Sequence, residues 1–198
     1  MKIHTIVCLA AVLCACACAT PGSKFYMLNA MQQTGQEVQP AVELQELSIC
    51  VGPVLTPDYL DRAQMCVRDS GNRVRYAEYH RWAEPLESAV SRVLVENLSL
   101  LLHTARIDVF PWKTAAPVDY QVRIMLIRFD GEPGGQAVLK ARWSLEAADK
   151  DIPVFDAIAS IVEPVDARTY EALARAQNRA LEKLSRDIAM VIHEAAAR

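Results

Sequence analysis

Residues 136–146 alternate more cleanly than any other stretch of this chain. Ala137, Leu139, Ala141, Trp143 and Leu145 point one way, and Gln136, Lys140, Arg142, Ser144 and Glu146 point the other. Side chains on a strand have a period of two, so slipping such a strand by one residue would move its whole apolar set into water. The register is therefore dictated, and with it one buried and one wet sheet face. Tyr120–Phe129 precedes this strand across Asp130-Gly131-Glu132-Pro133-Gly134-Gly135, a hairpin connection. Val154–Val162 follows after a turn at Lys150-Asp151, which completes an antiparallel meander. In the first of the three, Val122, Ile124 and Leu126 share one face and Met125, Ile127 and Phe129 the other. Apolar residues on both faces predict that its later half is covered on both sides.

Two segments change period. From Trp82 to Leu102 the apolar residues Trp82, Leu86, Ala89, Val90, Val93, Leu94, Leu98, Leu101 and Leu102 recur three and four apart, the stripe of a helix. Pro85 falls where a first-turn proline is tolerated. Tyr170–Ala195 repeats the pattern with Tyr170, Leu173, Leu181, Leu184, Ile188, Val191 and Ile192, while Glu171/Arg175 and Glu182/Arg186 support its wet side. Shorter strand-like runs lie at Phe25–Leu28, Val42–Val51, Met65–Arg68, Val74–Tyr79 and Arg106–Trp112. Gly52-Pro53 and Thr56-Pro57 are expected to break the second of these, and Asn29–Gln39 is polar and loop-like. Strands, a helix, more strands and a closing helix predict an α/β fold of the α+β kind. Its sheet is mixed and largely antiparallel, with two long helices packed against it.

The amino terminus decides the compartment. Lys2 supplies a positive start, Ile6–Val12 an apolar run, and Leu13-Cys14-Ala15-Cys16 follows. Leu13 and Ala15 suit a peptidase that cuts just before a lipid-accepting cysteine, so residues 1–15 read as a lipoprotein signal peptide. Cys16 is then the lipidation site, with Cys18 the alternative. Residues 16–24 form a lipidated tether and residues 25–198 a single domain. The apolar run is too short to span a bilayer, which takes about 20 residues. Beyond the export segment only Cys50 and Cys66 remain, a possible disulfide in an oxidising compartment or two small buried hydrophobes.

The formal charge of −3 offers no basic cluster for nucleic acid. His80, His103 and His193 have no second histidine or cysteine at metal-ligand spacing, so no metal is expected. The chain has no nucleophile elbow, P-loop or dinucleotide glycine pattern. Asp58, Asp61, Glu84 and Asp119 are not arranged for acid–base work. The expectation is a protein that is not an enzyme and carries no cofactor. Asn97-Leu98-Ser99 matches a glycosylation sequon by chance, inside the first helix.

A set of short segments resembles the ABC-type transport auxiliary lipoprotein family. They are the candidate acylated cysteine followed by Phe25-Tyr26-Met27-Leu28, then Val51-Gly52-Pro53, Pro57-Asp58-Tyr59-Leu60-Asp61-Arg62 and Trp82-Ala83-Glu84-Pro85-Leu86. Asn97-Leu98, Asp119-Tyr120-Gln121-Val122 and Trp143 continue the match across the mature chain. The family pattern has an ordinary apolar strand residue where this chain has Cys66. The resemblance implies a non-catalytic outer-membrane lipoprotein subunit of an ABC/MCE-type intermembrane lipid transport system. Palmitate and other acyl chains would anchor it at the periplasmic face, docked to the periplasmic MCE-domain protein. Neither Ala17 nor Cys18 is the aspartate that retains lipoproteins at the inner membrane. The alternative, from another class, is a pilotin-like outer-membrane assembly adaptor binding a β-barrel or secretin. A homo-oligomer stays open.

Pro57 presets its own φ and pushes Thr56 toward extended geometry, so Tyr59, Leu60, Asp61 and Arg62 are expected in a defined loop. They form the candidate partner-binding set, with an amphipathic ring and a charged pair for hydrogen bonds. The alternative is that Tyr59 and Leu60 plug the sheet edge while Arg62 pairs with Asp61 or Glu84. Trp82 is expected to anchor the first helix on the sheet.

Overall fold

A computed structural model describes residues 22–32, 46–111, 118–147 and 153–197. The signal peptide, most of the tether, Val42–Gln45, Trp112 and the Lys150-Asp151 turn lie outside the described residues. Among the described residues eight strands form one sheet: β1 (Lys24–Tyr26), β2 (Ile49–Leu55), β3 (Gln64–Ser70), β4 (Arg73–Trp82), β5 (Ile107–Val109), β6 (Tyr120–Gly131), β7 (Gln136–Ala147) and β8 (Phe155–Pro164). Helix α1 (Leu86–Leu102) separates β4 from β5, and α2 (Tyr170–Ala196) ends the chain. Both helices pack on one face of a mixed, curled sheet, which is the expected α+β class.

The dictated register holds. Ala137, Leu139, Ala141, Trp143 and Leu145 are all buried under the helices, and the Trp143 ring lies 4.7 Å from that of Phe155. β6, β7 and β8 form the antiparallel meander. The β6 strand is the spine of the sheet. β7 runs along one of its edges from Tyr120 to Gly131. The other edge is shared in parallel by two strands in succession. β2 covers it from Tyr120 to Met125, and β3 touches it only at Gly131, opposite Val67. Between these lies a gap at Leu126–Asp130 that no strand among the described residues fills.

Four expectations change. The helical stripe starts later than Trp82: this residue closes β4, buried and 6.4 Å from the Phe129 ring, and α1 begins after Pro85. Its side chain still reaches the core, from a strand rather than a helix. Gly52-Pro53 does not break β2. The strand continues through a register shift between Val51 and Val54, with Gly52 at φ 120°. A side chain there would be strained and would bring its Cβ within 2.9 Å of Phe110. Third, only the end of β6 is covered on both faces. A bulge between Leu126 and Arg128 turns Phe129 inward beside Leu126 and Asp130 is buried on the other side, while Met125 and Ile127 stay 49% and 37% exposed. Fourth, Cys50 and Cys66 are free and buried, not a disulfide. Cys50 sits opposite Gln121 and Cys66 next to the Val67–Gly131 pair. Along the shared edge of β6 that is about 30 Å of strand, far beyond the roughly 7 Å a disulfide allows. Burial pushes both thiols up to about 11.

Local signals explain the helix ends. The Thr169 hydroxyl accepts a hydrogen bond from the Ala172 amide, an N-cap for α2. His103 closes α1 in the left-handed conformation. Between the helices the Asn97 amide donates to Ser185 Oγ at 2.9 Å, and its carbonyl accepts from the Met31 amide at 2.8 Å. A buried Asn97 with both ends used explains the Asn-Leu motif by packing; as a sequon it is inaccessible. Arg92 adds a 2.8 Å bond to the Leu28 carbonyl, so the segment following β1 is tied to α1.

Candidate functional site

The gap in the β6 edge is where the proline-framed loop sits. From Leu55 the chain leaves β2, turns through residues 56–63 and enters β3. The turn is closed by the Leu60 amide on the Pro57 carbonyl (2.8 Å) and the Arg62 amide on the Leu60 carbonyl (2.8 Å). Tyr59 points inward. Its hydroxyl lies 3.2 Å from the carbonyl of Ile127, the residue at the register shift of β6, and 3.2 Å from Asp130 Oδ2. Leu60 is buried in the core. The Tyr76 hydroxyl donates back to the Tyr59 carbonyl at 3.2 Å. The Tyr59 hydroxyl thus serves one backbone carbonyl within the gap.

Asp130 is the hub of this arrangement. The bulge in β6 places it on the face away from the helices, yet its side chain is fully buried. Arg128 Nη2 donates to Oδ1 at 2.6 Å, and Arg68 donates to Oδ2 from Nη2 and Nε at 3.0 and 3.2 Å. Burial alone would raise the carboxyl, but the hydrogen bonds from Arg128 and Arg68 outweigh it and leave it below its ordinary value. Next door, burial and then the Asp130 charge push the Tyr59 phenol up to about 12. Arg68 also lies 5.9 Å from the Tyr59 ring centre. Sequence reasoning placed Asp130 in a hairpin connection and missed this role. The available signal was its position beside Arg128 at the end of a long strand.

The candidate partner-binding residues divide. Tyr59 and Leu60 belong to the packing, while Asp61 and Arg62 face solvent. Arg62 takes neither of the expected ion pairs. Its guanidinium lies 4.8 Å from the Tyr76 ring centre, and Glu84 pairs with Arg92 at 2.6 Å. Beside the loop Leu55 and Met125 are register partners on the open face of the sheet, and Ile127 follows. All three are exposed. A braced loop carrying Asp58, Asp61 and Arg62 therefore borders an apolar row, a mixed surface of the kind protein interfaces use.

The other singled-out residues are dispersed. His80 stacks 3.9 Å from the Tyr170 ring, with Nδ1 2.7 Å from the Tyr26 hydroxyl; burial, then Lys24, lowers its pKa. His103 is the cap that follows α1, and His193 sits in the last turn of α2. Asp119 accepts the Ser48 amide at 2.8 Å. Among the described residues no three His, Cys, Asp or Glu side chains are grouped to hold a metal. No described helix is long and apolar enough to cross a membrane. A second buried carboxylate, Glu163, is paired with Lys183 at 2.6 Å and Arg179 at 3.1 Å, and pins β8 to α2.

The family model described as the ABC-type transport auxiliary lipoprotein component matches residues 26–189, from β1 into the last turns of α2. The chain belongs to this family. The match begins at Tyr26 and takes in the loop, the Asp130 cluster and both helices. Among solved structures, a protein from Xanthomonas campestris aligns at 14% identity and a TM-score of 0.71, covering 89% of this chain and all of its own. An uncharacterised protein aligns at 20% identity and a TM-score of 0.70, covering 87% of this chain and 99% of its own. Both have the same fold. No curated protein matches the chain. The family makes this an auxiliary lipoprotein component of an ABC-type transporter.

Proposed function

We propose that this auxiliary lipoprotein is the non-catalytic outer-membrane subunit of an ABC/MCE-type intermembrane lipid transport system. In this reading acyl chains on Cys16 or Cys18 hold it at the periplasmic face, and it docks on the periplasmic MCE component. Family membership supports the transport role. The observation that carries the docking role is the division of the loop: Tyr59 and Leu60 brace it on Asp130 and the core, while Asp61 and Arg62 are left to solvent beside exposed Leu55, Met125 and Ile127. A loop held this way loses little conformational entropy when a partner binds.

The test is purification of the full-length protein from its own membranes. The expected result is an MCE-domain protein in stoichiometric yield, with the lipoprotein in the outer-membrane band of a density gradient. Recovery with a secretin or β-barrel protein instead would replace this reading with the assembly adaptor.

A further inference from the structure

Phe25 and Met27 are two apolar side chains on β1 and its continuation that the fold does not use. They are 65% and 52% exposed, whereas Tyr26 between them stacks on His80 and Leu28 beyond them is fully buried. Alternation along an extended segment puts Phe25 and Met27 on one side. Together with Lys24, Asn29, Glu171, Arg175 and Asn178 they border a largely polar groove of about 590 Å³ against the first turns of α2. Tyr79 of β4, also exposed, precedes His80, the register partner of Lys24. Phe25, whose register partner is Arg81, thus gathers with Met27, Tyr79 and Lys24 at one edge of the sheet, and aromatic rings with cations are the composition that settles at a bilayer interface.

Where this cluster lies in the chain says what covers it. Lys24 is only eight residues beyond Cys16, or six beyond Cys18. Eight residues reach at most about 28 Å even when fully extended. That is less than the diameter of a domain this size, roughly 40 Å across with a radius of gyration near 16 Å. β1 is also held firmly, through Arg92 on Leu28, Asn97 on Met31 and the Asn29 amide on Asn178 Oδ1 at 3.1 Å. Whatever side β1 occupies must therefore be the side turned to the membrane.

We infer that Phe25, Met27 and Tyr79, flanked by Lys24, are a membrane-contact patch that seats the domain on the bilayer interface beside its lipid anchor. The anchor retains the protein; the patch sets its orientation, with the rings among acyl-chain ends and Lys24 at the phosphates. This rests on the lipid anchoring in the proposed function.

The experiment uses the full-length lipidated protein in vesicles of phosphatidylethanolamine and phosphatidylglycerol, with brominated acyl chains as a quencher. Phe25→Trp is compared with Ile158→Trp. Ile158 is a similarly exposed apolar residue (57%) on β8, an edge strand joined to β1 only through β4, β3, β6 and β7. The unsubstituted protein supplies the background of Trp82, Trp112 and Trp143. Bromolipid is expected to remove most of the emission added at position 25 and almost none of that added at 158. Equal, weak quenching at both sites in a protein whose intact mass carries acyl chains would overturn the patch and leave the anchor standing, pointing to a protein partner for Phe25 and Met27. A mass without acyl chains would overturn the anchor itself. Flotation with vesicles and strong quenching at 25 would then mean the patch binds bilayers unaided, and failure to float would overturn the patch as well.

Discussion

The two faces of β6 are built by opposite means. Toward the helices, Val122, Ile124, Leu126 and Phe129 are buried among apolar side chains of α2 and β7. Away from them, the same strand carries Arg123, Met125, Ile127, Arg128 and Asp130, and only its last part is covered. That cover is a loop held by a tyrosine hydroxyl and a carboxylate shared between two arginines. The inner face derives its strength from area removed from water, is tolerant in detail and sensitive to volume. The outer end depends on a few directional bonds. It orders a loop without hiding it, which is what a surface kept for a partner requires.

The largest expected effect is on the inner face. Trp143→Ala should lower unfolding stability by about 3–5 kcal/mol in denaturant titration, because the cavity against Phe155 lies in a packed layer. A midpoint near that of the unsubstituted protein would show that this face is loosely filled. Next, Asp130→Ala should cost about 2–4 kcal/mol, since it leaves Arg68 and Arg128 without their shared acceptor while both keep some access to water.

The same carboxylate makes the outer end pH-sensitive, and the sign follows from its lowered pKa. Its folded value lies below the unfolded one, so its contribution is present above about pH 4 and is lost as pH falls through the folded value. Acid titration of stability should therefore be shallower in Asp130→Asn than in the unsubstituted protein, and equal slopes would remove Asp130 from the account. Tyr59→Phe, which keeps the ring and removes only the hydroxyl, should cost about 1 kcal/mol. It should also remove a loss of stability that otherwise begins above about pH 10, the ordinary phenol value, and is complete as pH passes the raised folded value of about 12. A raised folded pKa is stabilising below the unfolded one, hence the direction.

How much of this was legible in the sequence follows from the same contrast. Alternation through residues 136–146 fixed which side of β7 is buried, and the period of 3.6 found both helices. Periodicity cannot see an inserted residue. The bulge at Ile127 reversed the assignment of Phe129 and took Asp130 out of the hairpin, since its effect depends on the neighbouring strand. Nor could proline framing tell which loop side chains turn inward. The Pro57 loop was recognisable as a defined structure, but that Tyr59 answers a gap left between β2 and β3 is a property of the sheet. Trp82 was correctly given to the core and misplaced by four residues from the start of α1, because a strand ending in an apolar residue blends into a helical stripe.

The central claim is that the loop is braced from within so that its outer residues serve a partner. It is tested most directly by measuring binding of the full-length Asp61→Ala/Arg62→Ala variant to the MCE component, alongside its thermal midpoint. The account predicts that binding falls at least tenfold while the midpoint moves by no more than a few degrees, as expected for solvent-facing substitutions. Undiminished binding by a variant that melts normally would contradict it.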